Sequence, residues 1–373
     1  MNRILHLIII FNSFLVFACS SKPETYTVEV IDGVRHVHNL APKWSDVEKI
    51  ELEFIQKIGD AESEDDNYNL YQVVDIVKDD EGNYYIVDAG NSRIQKFDSA
   101  GKYLLSIGKK GQGPGEFSSI GDCDVSRDGF IYVWNGMYRM EIFDFEGNLI
   151  ESKKFEKISA LVKVFNSGRL LTQFFAPPTS QDEIMGNPLF NISDRHGNIL
   201  KNIGAYDQGE NIRITNFLNI IVPVIDRKDN IYLNYPFQNR IEKYSPEGEL
   251  KMRVDRTLNY EVKHKAKIRT FETQSGQVHW PDAEMTYVSN EIGIDNKSRI
   301  WVTTYTSQEE TNQEGKVIKP MGRILEIFDL DGILLGQIDL PEEYLRFMGI
   351  EDSRILFSNK DRISVYEYRI VER

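Results

Sequence analysis

Four side chains able to do binding or acid–base chemistry recur at one register of a repeated pattern. Asp75, Asp122, Glu291 and Arg346 each stand seven residues before a turn position, and Leu161 and Pro223 hold the same place in two further copies. Three carboxylates and a guanidinium at one level would suit a cation or a polar ligand. Hard cations such as Ca²⁺ take carboxylate and carbonyl oxygens, so calcium is the cofactor such a set would hold. The other reading is a hydrated rim whose carboxylates accept hydrogen bonds from strand-end amides. We expect Asp75, Asp122 and Glu291 to form one cluster.

A second group is asymmetric. His279 and Trp280 sit beside Pro281 in Val278–Ala283, with Tyr260, His264 and Tyr287 near in sequence. The indole could stack on a sugar ring or a peptide aromatic, or it could pin this insertion to the body of the protein. His264 and His279 are too weakly placed to be metal ligands. Of the two cysteines, Cys123 lies in an alternating segment, as a small buried hydrophobe would. No nucleophile motif is present, and GQGPGEF lies between strands with no helix after it, so a nucleotide-site reading fails.

The elements that must position these residues repeat too. Copies of one unit run over 71–108, 120–155, 161–204, 219–254 and 289–339, with a sixth split between 350–368 and 49–59. In the clearest, residues 73–108, apolar and polar residues alternate between breaks at Glu81-Gly82 and Ala100-Gly101, which reads as four antiparallel strands. Gly101, Gly147, Gly197 and Gly248 recur at intervals of 46 to 51 residues, with a wider gap to Gly332. A unit of this kind cannot bury its own apolar faces, so neighbouring copies must stack. The chain therefore reads as an all-β, six-bladed β-propeller of four-stranded antiparallel blades, its ring closed by an N-terminal strand in the last blade. The longer connections, 108–119, 176–188, 255–288 and 306–321, all fall on one face, and function concentrates in such loops. Ala176-Pro177-Pro178-Thr179 suggests a rigid stretch there. The basic run 263–269 reads as a solvated helix face. Arg93, Arg139, Arg240, Arg323 and Arg362 each open a third strand, which suggests a structural ion pair or carbonyl clamp.

GKKGQGPGEF (108–117) and YIVDAGNSRIQKFDSAG (85–101) resemble the NHL-repeat family of propellers, with looser copies at 131–147 and 231–248. Together with the N-terminus described next, the chain resembles more narrowly the six-bladed β-propeller lipoproteins of bacteria. The resemblance implies the same fold over about 49–370. It also implies a possible metal at the channel mouth, as in gluconolactonase-like propellers, and hence a metal-dependent hydrolase or lyase, as in these or the peptide-amidating propellers, as the alternative to a binding role.

Residues 1–18 read as a signal peptide, and Val16-Phe17-Ala18-Cys19 resembles a lipobox. Lipid on Cys19 would anchor the chain to a membrane of the bacterial cell envelope without spanning it. Residues 19–48 would then be a tether with a short strand pair (26–31, 34–39), and 49–373 the propeller. Loss of Arg3 would take the formal charge from −14 to −15. That acidity argues against nucleic acid, whose phosphates need a basic face. The expected role is a monomeric, non-enzymatic binding or scaffold module, holding a glycan, peptide or protein through its loop-rich face and meeting the membrane through its lipid only.

Overall fold

Each blade is punctuated by aspartates. Asp79, Asp144, Asp194 and Asp226 each accept, through Oδ1, the amides two and four residues on at 2.8–3.1 Å. Through Oδ2 each accepts the side-chain amide of the asparagine four residues on. An Asx arrangement of this kind closes a tight hairpin and leaves the third residue on in the left-handed region. Gly82, Gly147, Gly197 and Asp229 take that conformation.

The computed structural model describes residues 24–44, 49–156, 158–175, 186–273, 276–312, 316–341 and 345–373. Cys19, the signal segment and Ala176–Thr179 lie outside the described residues. Within them the chain forms six antiparallel blades. From the centre outwards, blade 1 is Val73–Lys78, Tyr84–Asp88, Arg93–Phe97 and Tyr103–Ile107. Blade 2 is Ile120–Val125, Phe130–Asn135, Arg139–Asp144 and Leu149–Lys154, and blade 3 is Ile158–Val164, Leu170–Phe175, Phe190–Ser193 and Ile199–Ile203. Blade 4 is Val222–Ile225, Ile231–Asn234, Ile241–Tyr244 and Leu250–Arg256. Blade 5 is Ser289–Ile294, Ile300–Tyr305, Arg323–Phe328 and Leu334–Asp339. Blade 6 is Arg346–Glu351, Arg354–Ser358, Val365–Glu372 and, outermost, Ile50–Ile58. The inner strands meet in order, and that of blade 6 meets that of blade 1.

Six hydrophobic clusters among the described residues fill the six gaps between blades, for example Phe117, Ile120, Cys123 and Val133 between blades 1 and 2. Alternate residues of each strand face the two neighbouring blades. The turn glycines add a close approach. A Cβ on Gly248 (φ +77°) would lie 2.3 Å from Ile203 of blade 3, whereas one on Gly168 (φ +78°) would meet nothing within 4 Å.

Two sequence expectations change here. The run 263–269 is not helical: His264–Thr273 is a strand, paired in register with Gly276–Met285. Its residues alternate Lys265, Lys267, Arg269 with Ala266, Ile268, Thr270, a period of two that outweighs the charge pattern. The strand pair expected in the tether, Tyr26–Ile31 and Val34–Asn39, instead docks on the body. Val34–Asn39 runs parallel to Leu250–Arg256, extending blade 4 to six strands. From there Lys43 and Trp44 donate to Leu334 and Leu335 of blade 5 before the chain reaches blade 6. The N-terminal segment thus belts blades 4, 5 and 6. A helix, Ile212–Leu218, stands between blades 3 and 4, and Asn211 caps it by accepting the Ile214 amide at 2.9 Å. Ile214, Phe217 and Leu218 stand at i, i+3 and i+4, but a helix of seven residues is too short for that spacing to stand out from the strands around it.

The glycine pair makes a test. In urea, Gly168→Ala should cost about 1–2 kcal/mol, the left-handed penalty alone. Gly248→Ala should cost roughly 2 kcal/mol more, because the turn must also move off Ile203.

Candidate functional site at the central channel

The inner strands of five blades are irregular at one level. Their register shifts between Val73 and Asp75, Ile120 and Cys123, Ser159 and Val162, Ser289 and Ile292, and Phe347 and Gly349. A β-bulge re-aims a side chain and frees an amide from the ladder. Both effects are used. Asp75 Oδ2 of blade 1 accepts the Cys123 amide of blade 2 at 3.1 Å, and Asp122 Oδ2 of blade 2 accepts the Val162 amide of blade 3 at 2.7 Å. One strand position further along, Asp124 Oδ2 accepts the Val164 amide at 2.7 Å. The carboxylates are straps from one blade to the next.

Lys163 sits among them, its Nζ 3.1 Å from Asp122 Oδ1 and 3.5 Å from Asp75 Oδ2. Burial opposes charge on every member, and the mutual pairing decides the outcome. For Lys163, burial is outweighed by Asp122, Asp75 and Asp124, and its pKa rises well above the ordinary value. For Asp122, burial and the neighbouring Asp75 win over the pull of Lys163 and raise its pKa well above the carboxylate range. Asp75, also buried, is brought below its usual value by Lys163, by the Asp122 hydrogen bond and by the Cys123 and Ile76 amides. The two carboxyls therefore titrate as a pair, with Asp122 the one that keeps its proton to higher pH.

The channel these residues line has a volume of about 1040 Å³, and Leu161, Pro223, Glu291 and Arg346 line it too. Glu291 does not join the expected cluster. Its Oε1 accepts from Arg346 Nη2 at 2.9 Å, an ion pair between blades 5 and 6. Among the described residues no three His, Cys, Asp or Glu side chains converge as a metal cage. The oxygens of Asp75 and Asp122 that could face a cation are held by amides and by Lys163, so this donor set does not fit calcium. The sequence reading missed Lys163 and Asp124. Both follow a predicted rim position by two residues, on the same face of their strand, and a period-two count would have found them.

His279 and Trp280 lie elsewhere, on the hairpin His264–Met285. Together with Asn211, Ala266, Ile268 and Pro281 they line a separate depression of about 460 Å³. Thr270 Oγ1 lies 2.9 Å from His279 Nδ1, and Trp280 is 61% exposed. Three of the repeated arginines are clamps, whereas Arg362 lies in the turn before Val365–Glu372 instead of opening that strand. Arg93 donates to the Asp66 and Asn69 carbonyls, and Arg139 to those of Gln112 and Glu116. Arg240 instead binds the Asp207 carboxylate. Each ties down the connection that enters its own blade.

The chain belongs to a family described as 6-bladed beta-propeller, whose model matches residues 62–313. Among solved structures it is similar to a candidate exported protein of Bacteroides fragilis, with TM-score 0.60 and 12% identity, over 91% of this chain and 99% of that one. It is also similar to a member of the DUF4221 family from Bacteroides vulgatus, with TM-score 0.59 and 10% identity, over 87% and 99%. At such identities the likeness is one of fold. No curated protein sequence matches the chain.

Two outcomes are expected of the channel. Calcium should leave the melting temperature of the wild type and of Asp122→Ala unchanged; a rise in the wild type that the variant loses would mean a cation is held there. The second concerns pH. A carboxyl raised above its unfolded value favours the fold below pH 4 and loses that contribution as pH climbs through the folded value. Asp122→Asn keeps a neutral group, so its stability relative to wild type should improve as pH rises from 4 upwards. A difference independent of pH in urea melts would mean that Asp122 does not keep its proton.

Proposed function

We propose that the protein is a lipid-anchored, extracytoplasmic binding module that presents the loop-rich face of its propeller to a peptide, glycan or protein partner. The asymmetry of the disk carries this reading. The turns of the opposite face are tight hairpins, most of them closed by an aspartate and others by Ser126 or Ser245. By contrast, the connections 59–72, 108–119, 204–221 and 257–288 and the insertion 306–322 all leave strands on one side. They are built up there rather than merely long. Phe217, Phe237, Tyr287 and Tyr305 pack in turn, tilted or edge to face at 4.7–5.8 Å between centroids, and link the connections 204–221 and 257–288 to the end of strand Ile300–Tyr305. Tyr260 donates to the carbonyls of Tyr287 and Tyr305, and Gln308 to that of Tyr287. Ordered loops on a rigid scaffold are a recognition surface. The channel supports this over a hydrolytic reading, because Asp75, Asp122, Asp124 and Lys163 are spent on one another and on blade-to-blade amides, and Glu291 on Arg346. Signal cleavage after Ala18 and lipid on Cys19 would place the module in the cell envelope; among the described residues no helix is long and apolar enough to cross a membrane.

Photo-crosslinking residues introduced in intact cells test the assignment of the face. Substitution at Glu210 or Ile318, both exposed on the loop-rich side, should give a discrete adduct. Substitution at Glu81 or Glu247, in turns of the opposite side, should give none. Adducts only from Glu81 or Glu247 would place the binding surface on the wrong face.

A further inference from the structure

The hairpin His264–Met285 has an unusual surface. On one face Trp280 is 61% exposed and Phe271 46%, with Val278 exposed across from Phe271; Ile268, 72% exposed, lies on the other face across from Pro281. Its charges cancel. Residues 261–285 carry Lys263, Lys265, Lys267 and Arg269 against Glu261, Glu272, Asp282 and Glu284. Lys267 pairs with Glu284 across the two strands, and Arg269 with Asp282. A neutral, aromatic-tipped hairpin therefore stands on a body whose formal charge is strongly negative.

Its base is held firmly. Arg256, the residue before the insertion, is buried in an ion pair with Glu326 of blade 5. Helix Ile212–Leu218 packs against both hairpin strands, and Asn211 Nδ2 donates to the Asp282 carbonyl at 3.1 Å. The exposed residues are thus presented by a fixed support.

The position of the N-terminal segment says what this surface meets. The Thr25 carbonyl accepts the Leu40 amide at 2.8 Å, and the Asn39 carbonyl accepts the Thr257 amide at 2.8 Å. Thr257 is the first residue of the connection that leads to the hairpin seven residues later. Cys19 precedes Glu24 by five residues, so its Cα lies within about 18 Å of that of Glu24 by any path. The anchor and the hairpin therefore issue from one corner of the disk, between blades 4 and 5.

We infer that the hairpin His264–Met285 docks on the surface of the bilayer that holds the Cys19 lipid, with Trp280 and Phe271 entering the boundary between headgroups and acyl chains; this rests on the lipid-anchor part of the proposed function. Tryptophan is at home at that depth, with an apolar body and one polar handle. Elsewhere the acidic body is repelled by anionic headgroups, and the neutral hairpin escapes that repulsion. The lipid is then a hinge point and the hairpin a second foot, which together fix how the propeller faces the membrane.

The test uses the full-length protein purified from membranes and reconstituted in vesicles of phosphatidylethanolamine and phosphatidylglycerol with brominated acyl chains. Trp134 and Trp301 are fully buried, so acyl-chain quenching reads Trp280 and Trp44. Quenching should be several-fold greater in the wild type than in Trp280→Phe. Phe271→Asp should reduce it toward the Trp280→Phe level with an unchanged far-UV spectrum. Palmitate labelling, present in the wild type and absent in Cys19→Ala, reads the anchor separately. Labelled wild type that is quenched no more than Trp280→Phe overturns the docking and leaves the anchor. Absence of label on the wild type overturns the anchor reading and the docking with it.

Discussion

Everything in this molecule depends on the fact that a twisted four-stranded sheet has two apolar faces and can cover neither by itself. Stacking covers them, and a stack of six closes on itself when the last sheet meets the first. The six clusters between blades are that constraint in material form, and the outer-hairpin glycines Gly101, Gly147, Gly197, Gly248 and Gly332, each close to the preceding blade, are its local detail. Closure also brings six inner strands together around a channel. Polar groups there lie in reach of one another, with little water to separate their charges.

The channel chemistry follows from that crowding. A bulge costs a strand some of its ladder, and the freed amide needs an acceptor. The neighbouring blade supplies one in Asp75, Asp122 or Asp124, and Lys163 balances the negative charge that collects. The result is an ionic lattice that holds blades 1, 2 and 3 in register. It resembles a ligand site in composition, but Asp75, Asp122 and Lys163 are already engaged with one another and with strand amides.

The architecture was legible in the sequence because its signals are local and repeated. Alternation, the Asp-x-x-Gly-Asn turns and the glycine interval all point to one unit, and the split sixth copy located Ile50–Ile58 opposite Val365–Glu372. The rim positions were legible by the same counting. What was not legible depends on contacts between elements. Nothing near Glu291 in sequence says that Arg346 will pair with it, and Lys163 was overlooked because one residue per strand was counted. The charge of 263–269 suggested a helix where the residue period, read for itself, gives a strand. The belt of 26–44 across three blades left no mark in sequence, since parallel pairing at a sheet edge needs only two compatible strands.

The split last blade has a consequence for the order of events in making the protein. Gln56 donates to Glu367 across 311 residues of chain, so the outermost strand of that blade waits for its partner until nearly the whole polypeptide is present. Contacts so distant in sequence slow folding, because most of the chain must be confined before they form. The strand Ile50–Ile58 leaves the ribosome without the partner that would lock it, and the ring can close only after Val365–Glu372 has been made.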